Sequence, residues 1–191
     1  MRIGSSERIT NETQIKVSVN IDGTGKCKTE TGIKFLDHMI KTLATHSLID
    51  IEISARGDLV HHIVEDTALT LGDALKKALN NRSGIKRFGF AIVPMDDALA
   101  LASVDLVMRP YSDIDLKLTS NNIEDIASED LIHFIRSLSD SLQATIHVSV
   151  IKGINNHHKV EAAFKALALA LRDSWSIDPR RHDQPSSKGM M

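Results

Sequence analysis

The segment His61-His62-Ile63-Val64-Glu65 recurs later in the chain as His157-His158-Lys159-Val160-Glu161, a His pair with a Glu four places after its first member. One more His stands upstream of each segment at nearly the same distance, His38 and His133. The apolar positions repeat as well: Leu43 falls on Leu138, Ile51 on Ile146, Leu71 on Leu167 and Leu75 on Leu171. A chain that repeats both its polar groups and its hydrophobic skeleton is expected to fold as two similar halves. Its 191 residues, 42% of them hydrophobic, are enough to give such a pair a real core.

Periodicity places the elements. Ile15, Val17, Val19 and Ile21 alternate, which predicts a half-buried strand over Thr13–Ile21, turned by Asp22-Gly23-Thr24-Gly25. Ile33, Leu36, Ile40 and Leu43 follow helical spacing from Gly32 to about Ser47. Ile49, Ile51 and Ile53 return to alternation, and Leu71, Ala74, Leu75, Ala78 and Leu79 make one face of a helix from His61 to about Asn80. The second half repeats strand, helix, strand, helix after two extra strand-like segments, Phe88–Val93 and Ala98–Val107, with a third near Ser112–Leu118. Its helices are expected at Ser128–Leu142, which carries His133, and from Asn156 to about Trp175, with a strand at Ala144–Ile151 between them. We divide the chain into a first repeat over 1–86, a second over 87–176 and a polar tail over 177–191 that cannot contribute to the core.

Charge excludes several functions. A net charge of −2, from 23 basic and 25 acidic residues, gives no field for a polyanion, so neither nucleic acid nor an anionic membrane is an expected partner. The single cysteine, Cys27, cannot form an internal disulfide and reads as a small buried hydrophobe. Nowhere does the chain run through the about 18 consecutive apolar residues that a membrane span needs, and a soluble, cytoplasmic protein is expected.

The repeated histidines point to metal. Residues four apart share a helix face, so His61 with Glu65, and His157 with Glu161, can each grip one ion. Their neighbours His62 and His158 lie about 100° round the helix and must face a second ion or another chain. Both pairs fall in the first turn of a helix, where the dipole disfavours imidazolium and leaves a ring nitrogen free to coordinate. A lone histidine is more often a hydrogen-bonded core residue, but His38, His61, His62, His133, His157 and His158 recur with Glu65 and Glu161 against one skeleton, and they read as ligands. Imidazole with carboxylate accepts manganese, zinc or iron.

At these residues the sequence resembles the imidazoleglycerol-phosphate dehydratase family. The likeness runs through Arg8-Ile9-Thr10-Asn11-Glu12-Thr13, Phe35-Leu36-Asp37-His38-Met39, both His-pair segments, Arg87-Phe88-Gly89, Pro94-Met95-Asp96, Arg109-Pro110-Tyr111, His133-Phe134, Phe164-Lys165-Ala166 and Ser186-Ser187-Lys188-Gly189. It implies an α+β fold, a unit with a small β-sheet packed on two helices occurring twice (ribosomal protein S5 domain 2-like). It also implies a homo-24-mer with the metals between subunits, and two manganese ions per active site. One would be held by His38, His62, His157 and Glu161, the other by His61, Glu65, His133 and His158. The connection from Gly57-Asp58-Leu59 to His61, through Val60 alone, is shorter than is usual in that family.

The implied reaction is dehydration of D-erythro-imidazole glycerol phosphate to imidazole acetol phosphate in histidine biosynthesis. No carbonyl activates the carbon that loses its hydrogen, so the barrier has to fall through the imidazole ring, bound as imidazolate while the ions act as Lewis acids. Glu12 is the candidate for moving the proton, with Glu65 and Glu161 the other carboxylates of the site. Arg87, Arg109, Lys165, Ser186 and Lys188 match positions that bind substrate, and a tail that closes over phosphate explains why a segment outside the core matches at all. Two other readings use the same ligands: a dimetal phosphoester hydrolase, which usually has bridging carboxylates between ions about 3.5–4 Å apart, and a metal-stapled cage without activity, which has no need of a phosphate clamp.

Overall fold

A computed structural model describes residues 1–190, and the sequence yields two four-stranded sheets of identical strand order. The first contains β1 (Ile3–Ile9), β2 (Thr13–Asn20), β3 (Cys27–Glu30) and β4 (Asp50–Gly57), with α1 (Lys34–Ser47) and α2 (Val60–Leu79) before and after β4. The second contains β5 (Phe88–Met95), β6 (Ala98–Asp105), β7 (Tyr111–Asp115) and β10 (Thr145–Lys152). Here α3 (Ser128–Leu142) and α4 (Asn156–Ser174) flank β10, and a small hairpin, β8 (Asn122–Ile123) with β9 (Ile126–Ala127), precedes α3. The orders are β1-β2-β4-β3 and β5-β6-β10-β7, each antiparallel but for its last pair. This is the α+β class expected from the family resemblance.

The strands that alternation predicts in the first half form, and two more form beside them. In the matching sheet orders β1 corresponds to β5, β2 to β6 and β3 to β7, so the segments that look extra in the second half have counterparts in the first. Strands β1 and β3 gave no signal because both are edge strands: β1 buries one residue, Gly4, and β3 buries none. Gly4 marks where β1 meets α2, since a Cβ there would run into the Ala74 carbonyl. Gly89 does the same for β5 against the Ala170 carbonyl of α4. The matching close approaches hold each first strand on its helix.

Each sheet packs on its own helices, β1, β2 and β4 on α2 and β5, β6 and β10 on α4. The helices then pair across the halves, α2 with α3 and α1 with α4, around one continuous core that includes Leu36, Leu43, Leu71, Leu75, Phe134, Leu138, Phe164, Leu167 and Leu171. Helix α1 starts two residues later than its spacing suggested, because Ile33 stays extended and Asp125, in the β8–β9 turn, accepts the Lys34 and Phe35 N–H groups at 2.7 and 2.9 Å. Asn155 caps α4 by accepting from the N–H groups of His157 and His158.

The tail lies along the α2–β5 connection. Ile177 bridges Ile85, Gly84 N–H donates to the Asp183 carbonyl, Gln184 donates to the Asn81 carbonyl, and Arg87 Nη1 donates to the Pro185 carbonyl at 2.8 Å. Met191 is outside the described residues. Cys27 is half-buried, and burial followed by the charge of Asp37 pushes its thiol up to about 11, consistent with a packing role. Among the described residues no helix is long and apolar enough to cross a membrane.

Candidate metal centre

The crosswise pairing of helices decides where the histidines meet. His38 on α1 converges with His157 and Glu161 on α4, and His133 on α3 converges with His61 and Glu65 on α2; in each group the donor atoms all lie within 4.8 Å of one another. Each cluster therefore draws on both halves. His157 Nε2 is 3.4 Å and His38 Nε2 3.7 Å from Glu161 Oε2, and the rings of His61 and His133 stack with centroids 5.0 Å apart. Helical spacing put the first His and the Glu of each pair on one ion, and the clusters have that composition. His62 and His158 belong to neither cluster, as the step round the helix leads one to expect, and meet Asp58 and Asp97 instead.

Four carboxylates outside the predicted set stand behind the pair histidines. Nδ1 of His61 meets Asp130 at 2.6 Å, Nδ1 of His62 meets Asp58 at 2.8 Å, Nδ1 of His157 meets Glu124 at 3.1 Å and Nδ1 of His158 meets Asp97 at 2.6 Å. A carboxylate at Nδ1 favours the proton there and leaves the Nε2 lone pair for a ligand. Hydrogen bonding to Asp58 raises the pKa of His62, and hydrogen bonding to Asp97 raises that of His158. Asp58 and Asp97 are correspondingly lowered, Asp97 also by the N–H groups of Ile154 and Asn155. Burial pushes the Glu161 carboxyl up, but Lys165, donating at 2.9 Å, together with His38 and His157 outweighs it and holds the group below its ordinary value.

Two of these partners left a trace in the sequence. Asp58 precedes His62 by one helical turn, in the short connection before α2, and Asp130 precedes His133 on α3. Asp97 and Glu124 come from loops, for which spacing carries no information.

The donor set fits a metal on one direct test. His133 Nε2 is buried from solvent without a hydrogen-bond partner, although Glu65 Oε1 lies 3.2 Å away. That distance with no aligned proton between the atoms is the arrangement of two ligands converging on an ion rather than of a donor and an acceptor.

The other predicted residues separate into two places. Glu12 sits in the β1–β2 turn with Oε2 3.8 Å from His62 Nδ1. The turn is locked from below: Thr10 Oγ1 accepts from the Glu12 and Thr13 N–H groups, and the buried Asp66 of α2 takes hydrogen bonds from Thr13 and from Arg8 Nε, the latter at 2.6 Å. Arg87, Arg109, Ser186 and Lys188 line one pocket of about 330 Å³ between the tail and the connections before β5 and after β6. Within it Arg87 is bidentate to Asp105, at 2.6 and 2.9 Å, and so holds the wall and the tail together. Lys165 is not at that pocket; its Nζ lies between Glu161 and Met95 Sδ, beside the cluster of His38, His157 and Glu161.

Comparison with known proteins agrees with this fold. Residues 31–171 match the family model described as imidazoleglycerol-phosphate dehydratase. The chain is 50% identical to the imidazoleglycerol-phosphate dehydratase of Methanothermobacter thermautotrophicus, covering 100% of this chain and 98% of that protein. It is 47% identical to the same enzyme of Dehalococcoides mccartyi, covering 100% and 97%. Among solved structures, the imidazoleglycerol-phosphate dehydratase of Pyrococcus furiosus superposes with a TM-score of 0.85 at 40% identity, over 97% of this chain and 99% of that one. The enzyme from Staphylococcus aureus gives the same TM-score at 30% identity, over 92% and 99%. By sequence over its full length and by fold, the chain belongs to the imidazoleglycerol-phosphate dehydratase family.

Proposed function

We propose that this hydro-lyase removes water from imidazole glycerol phosphate in histidine biosynthesis with two manganese ions per active site. The observation that carries the reading is the pair of crossed clusters, His38 with His157 and Glu161, and His61 with Glu65 and His133, in a chain of this family. Manganese, when bound, supplies Lewis acidity that holds the substrate ring as imidazolate and offsets its charge. The remaining roles fall to the chain's own groups. His62 and His158, outside both clusters and backed by Asp58 and Asp97, complete the clusters of neighbouring copies, which couples the metal to assembly as a homo-24-mer.

Glu12, beside His62, moves the proton between substrate and solvent, since its turn is rigid while its carboxylate remains exposed. The pocket of Arg109, Ser186 and Lys188, walled by Arg87, takes the phosphate, and Lys165, which lies outside that pocket beside Glu161, would reach it from a neighbouring copy. Chelation followed by manganese readdition, with elemental analysis and product detection, tests the whole. Loss and return of the enol product supports the dehydratase. Release of inorganic phosphate instead would identify a hydrolase, and metal-dependent assembly with neither product a structural cage.

A further inference from the structure

The two clusters occupy equivalent places in the fold, but the residues around them differ. In α3, Asp130 lies three residues before His133; in α1 the same place, three before His38, is held by Phe35. The Asp130 side chain is only 7% exposed, sits in the first turn of its helix and has His61 as its one side-chain hydrogen-bonding partner among the described residues. A carboxylate buried at that cost serves the imidazole it touches. Phe35 offers His157 a ring, with centroids 4.9 Å apart, and no acceptor. The acceptor for His157 comes instead from Glu124, which is 59% exposed on the β8–β9 turn, so solvent screens what it contributes.

The carboxylate ligands differ in the same direction. Glu161 shares its charge with Lys165 Nζ at 2.9 Å, and Lys34 lines the pocket at the mouth of that cluster beside His38, Glu124 and Asp125. In α2 the place equivalent to Lys165 is Leu69, and among the described residues no lysine or arginine pairs with Glu65 or Asp130. One cluster thus has a second carboxylate behind it, the buried Asp130, and the other faces an ammonium that repels an incoming cation and competes for its carboxylate.

We infer that the two clusters bind divalent metal unequally: His61, Glu65 and His133 fill first and hold tightly, and His38, His157 and Glu161 fill second, with Asp130 the positioning residue that sets the order. The inference rests on the proposal that both clusters are metal sites. It is tested by titrating chelator-stripped full-length protein with Mn(II) at one protein concentration and following free Mn(II) by electron paramagnetic resonance. Two classes of site are expected, about one of each per chain, with midpoints at least about tenfold apart. H133A should remove the tight class and H38A the weak one.

D130N, which keeps the shape and one acceptor oxygen, should weaken the tight class by roughly 10–100-fold and close most of the gap, while E124Q moves the weak class by much less. Two indistinguishable sites in the wild-type protein would overturn the ordering and leave the metal reading standing. Absence of bound Mn(II) would instead remove the metal reading itself. A tight class unmoved by D130N, in protein whose circular dichroism matches wild type, would take Asp130 out of the argument. If D130N does not fold, loss of the weak class in H133A in place of the tight one still refutes the order.

Discussion

The α2–α3 seam and the α1–α4 seam each carry one histidine–glutamate cluster on the same backbone plan, yet they are joined differently. In the first, Gly72 lets α3 come so close that a Cβ would lie 2.8 Å from Leu142 N and 2.9 Å from the Leu138 carbonyl. Ser141 Oγ donates to the Leu69 carbonyl at 2.5 Å, and the fully buried Arg82 donates to the last carbonyls of α3, Leu142 at 2.5 Å and Gln143 at 2.8 Å. In the second seam the place of Gly72 is taken by Ala168, and among the described residues no side-chain hydrogen bond joins α1 to α4. The contrast teaches that convergence of the donors needs only the shared helix positions, whereas the rigidity behind them can differ from one seam to the other.

Removing a ligand should break the comparison most severely. H61A and E161A each empty one cluster, and metal content should fall from about two ions per chain to about one in both. Activity should drop by more than the roughly 10–100-fold typical of losing an outer partner, because both ions are needed together. Full metal loading in either variant, measured by elemental analysis, would refute the ligand assignment.

Packing variants come next and should separate the seams. Gly72→Ala forces α3 backbone to move and should cost about 1–3 kcal/mol in chemical denaturation, with weaker metal binding at the His61, Glu65, His133 cluster alone. Ala168→Gly, the mirror change, should cost only about 1 kcal/mol from helix propensity and leave metal binding unaltered. Arg82→Met leaves the Leu142 and Gln143 carbonyls without their donor, at about 1–3 kcal/mol, and its effect too should stay on the α2–α3 side. Equal responses of both clusters to Gly72→Ala would mean that the seams are coupled rather than independent.

Truncation before Pro185 is a smaller perturbation, since Ile177, Asp178, Asp183 and Gln184 still tie the tail to residues 81–85. It removes Ser186 and Lys188 from the pocket of Arg87 and Arg109, and should raise KM about tenfold while metal content and assembly persist. Loss of assembly in this variant would show that the tail is structural.

The sequence made the clusters legible because a helix converts spacing into direction: four residues apart means one face, and the repeat supplied the second copy. The strand pattern was legible where one face is buried, as in Ile15, Val17 and Val19, and illegible in β1 and β3, whose contacts are through glycine backbone or at a sheet edge. Phe35 against Asp130 could not be weighed from sequence, because it gains meaning only when α1 is laid on α3 and α4 on α2. Glu124 and Asp97 reach the histidines from turns whose course depends on the whole fold. Lys165 matches a position that binds substrate, while its observed partner is the carboxylate one helical turn away, Glu161, a contact its spacing also allowed.

The smallest effect on the chain itself is expected at the outer faces of the sheets, where the halves differ most. Phe90 and Ile92 on β5, 74% and 56% exposed, stand where β1 has Ser5 and Glu7, and Phe88 adds a third ring or branched chain to the same strip. A row of large apolar groups facing water gives nothing to the isolated chain but can be covered by another copy, at roughly 1.5–3 kcal/mol for each side chain buried. Phe90→Ser should therefore change unfolding free energy by no more than about 0.5 kcal/mol and yet shift the concentration at which copies associate, as read by sedimentation velocity. Ser5→Ala, on the polar strip of the first sheet, should shift neither. If Phe90→Ser leaves association unchanged, this strip is not where copies meet.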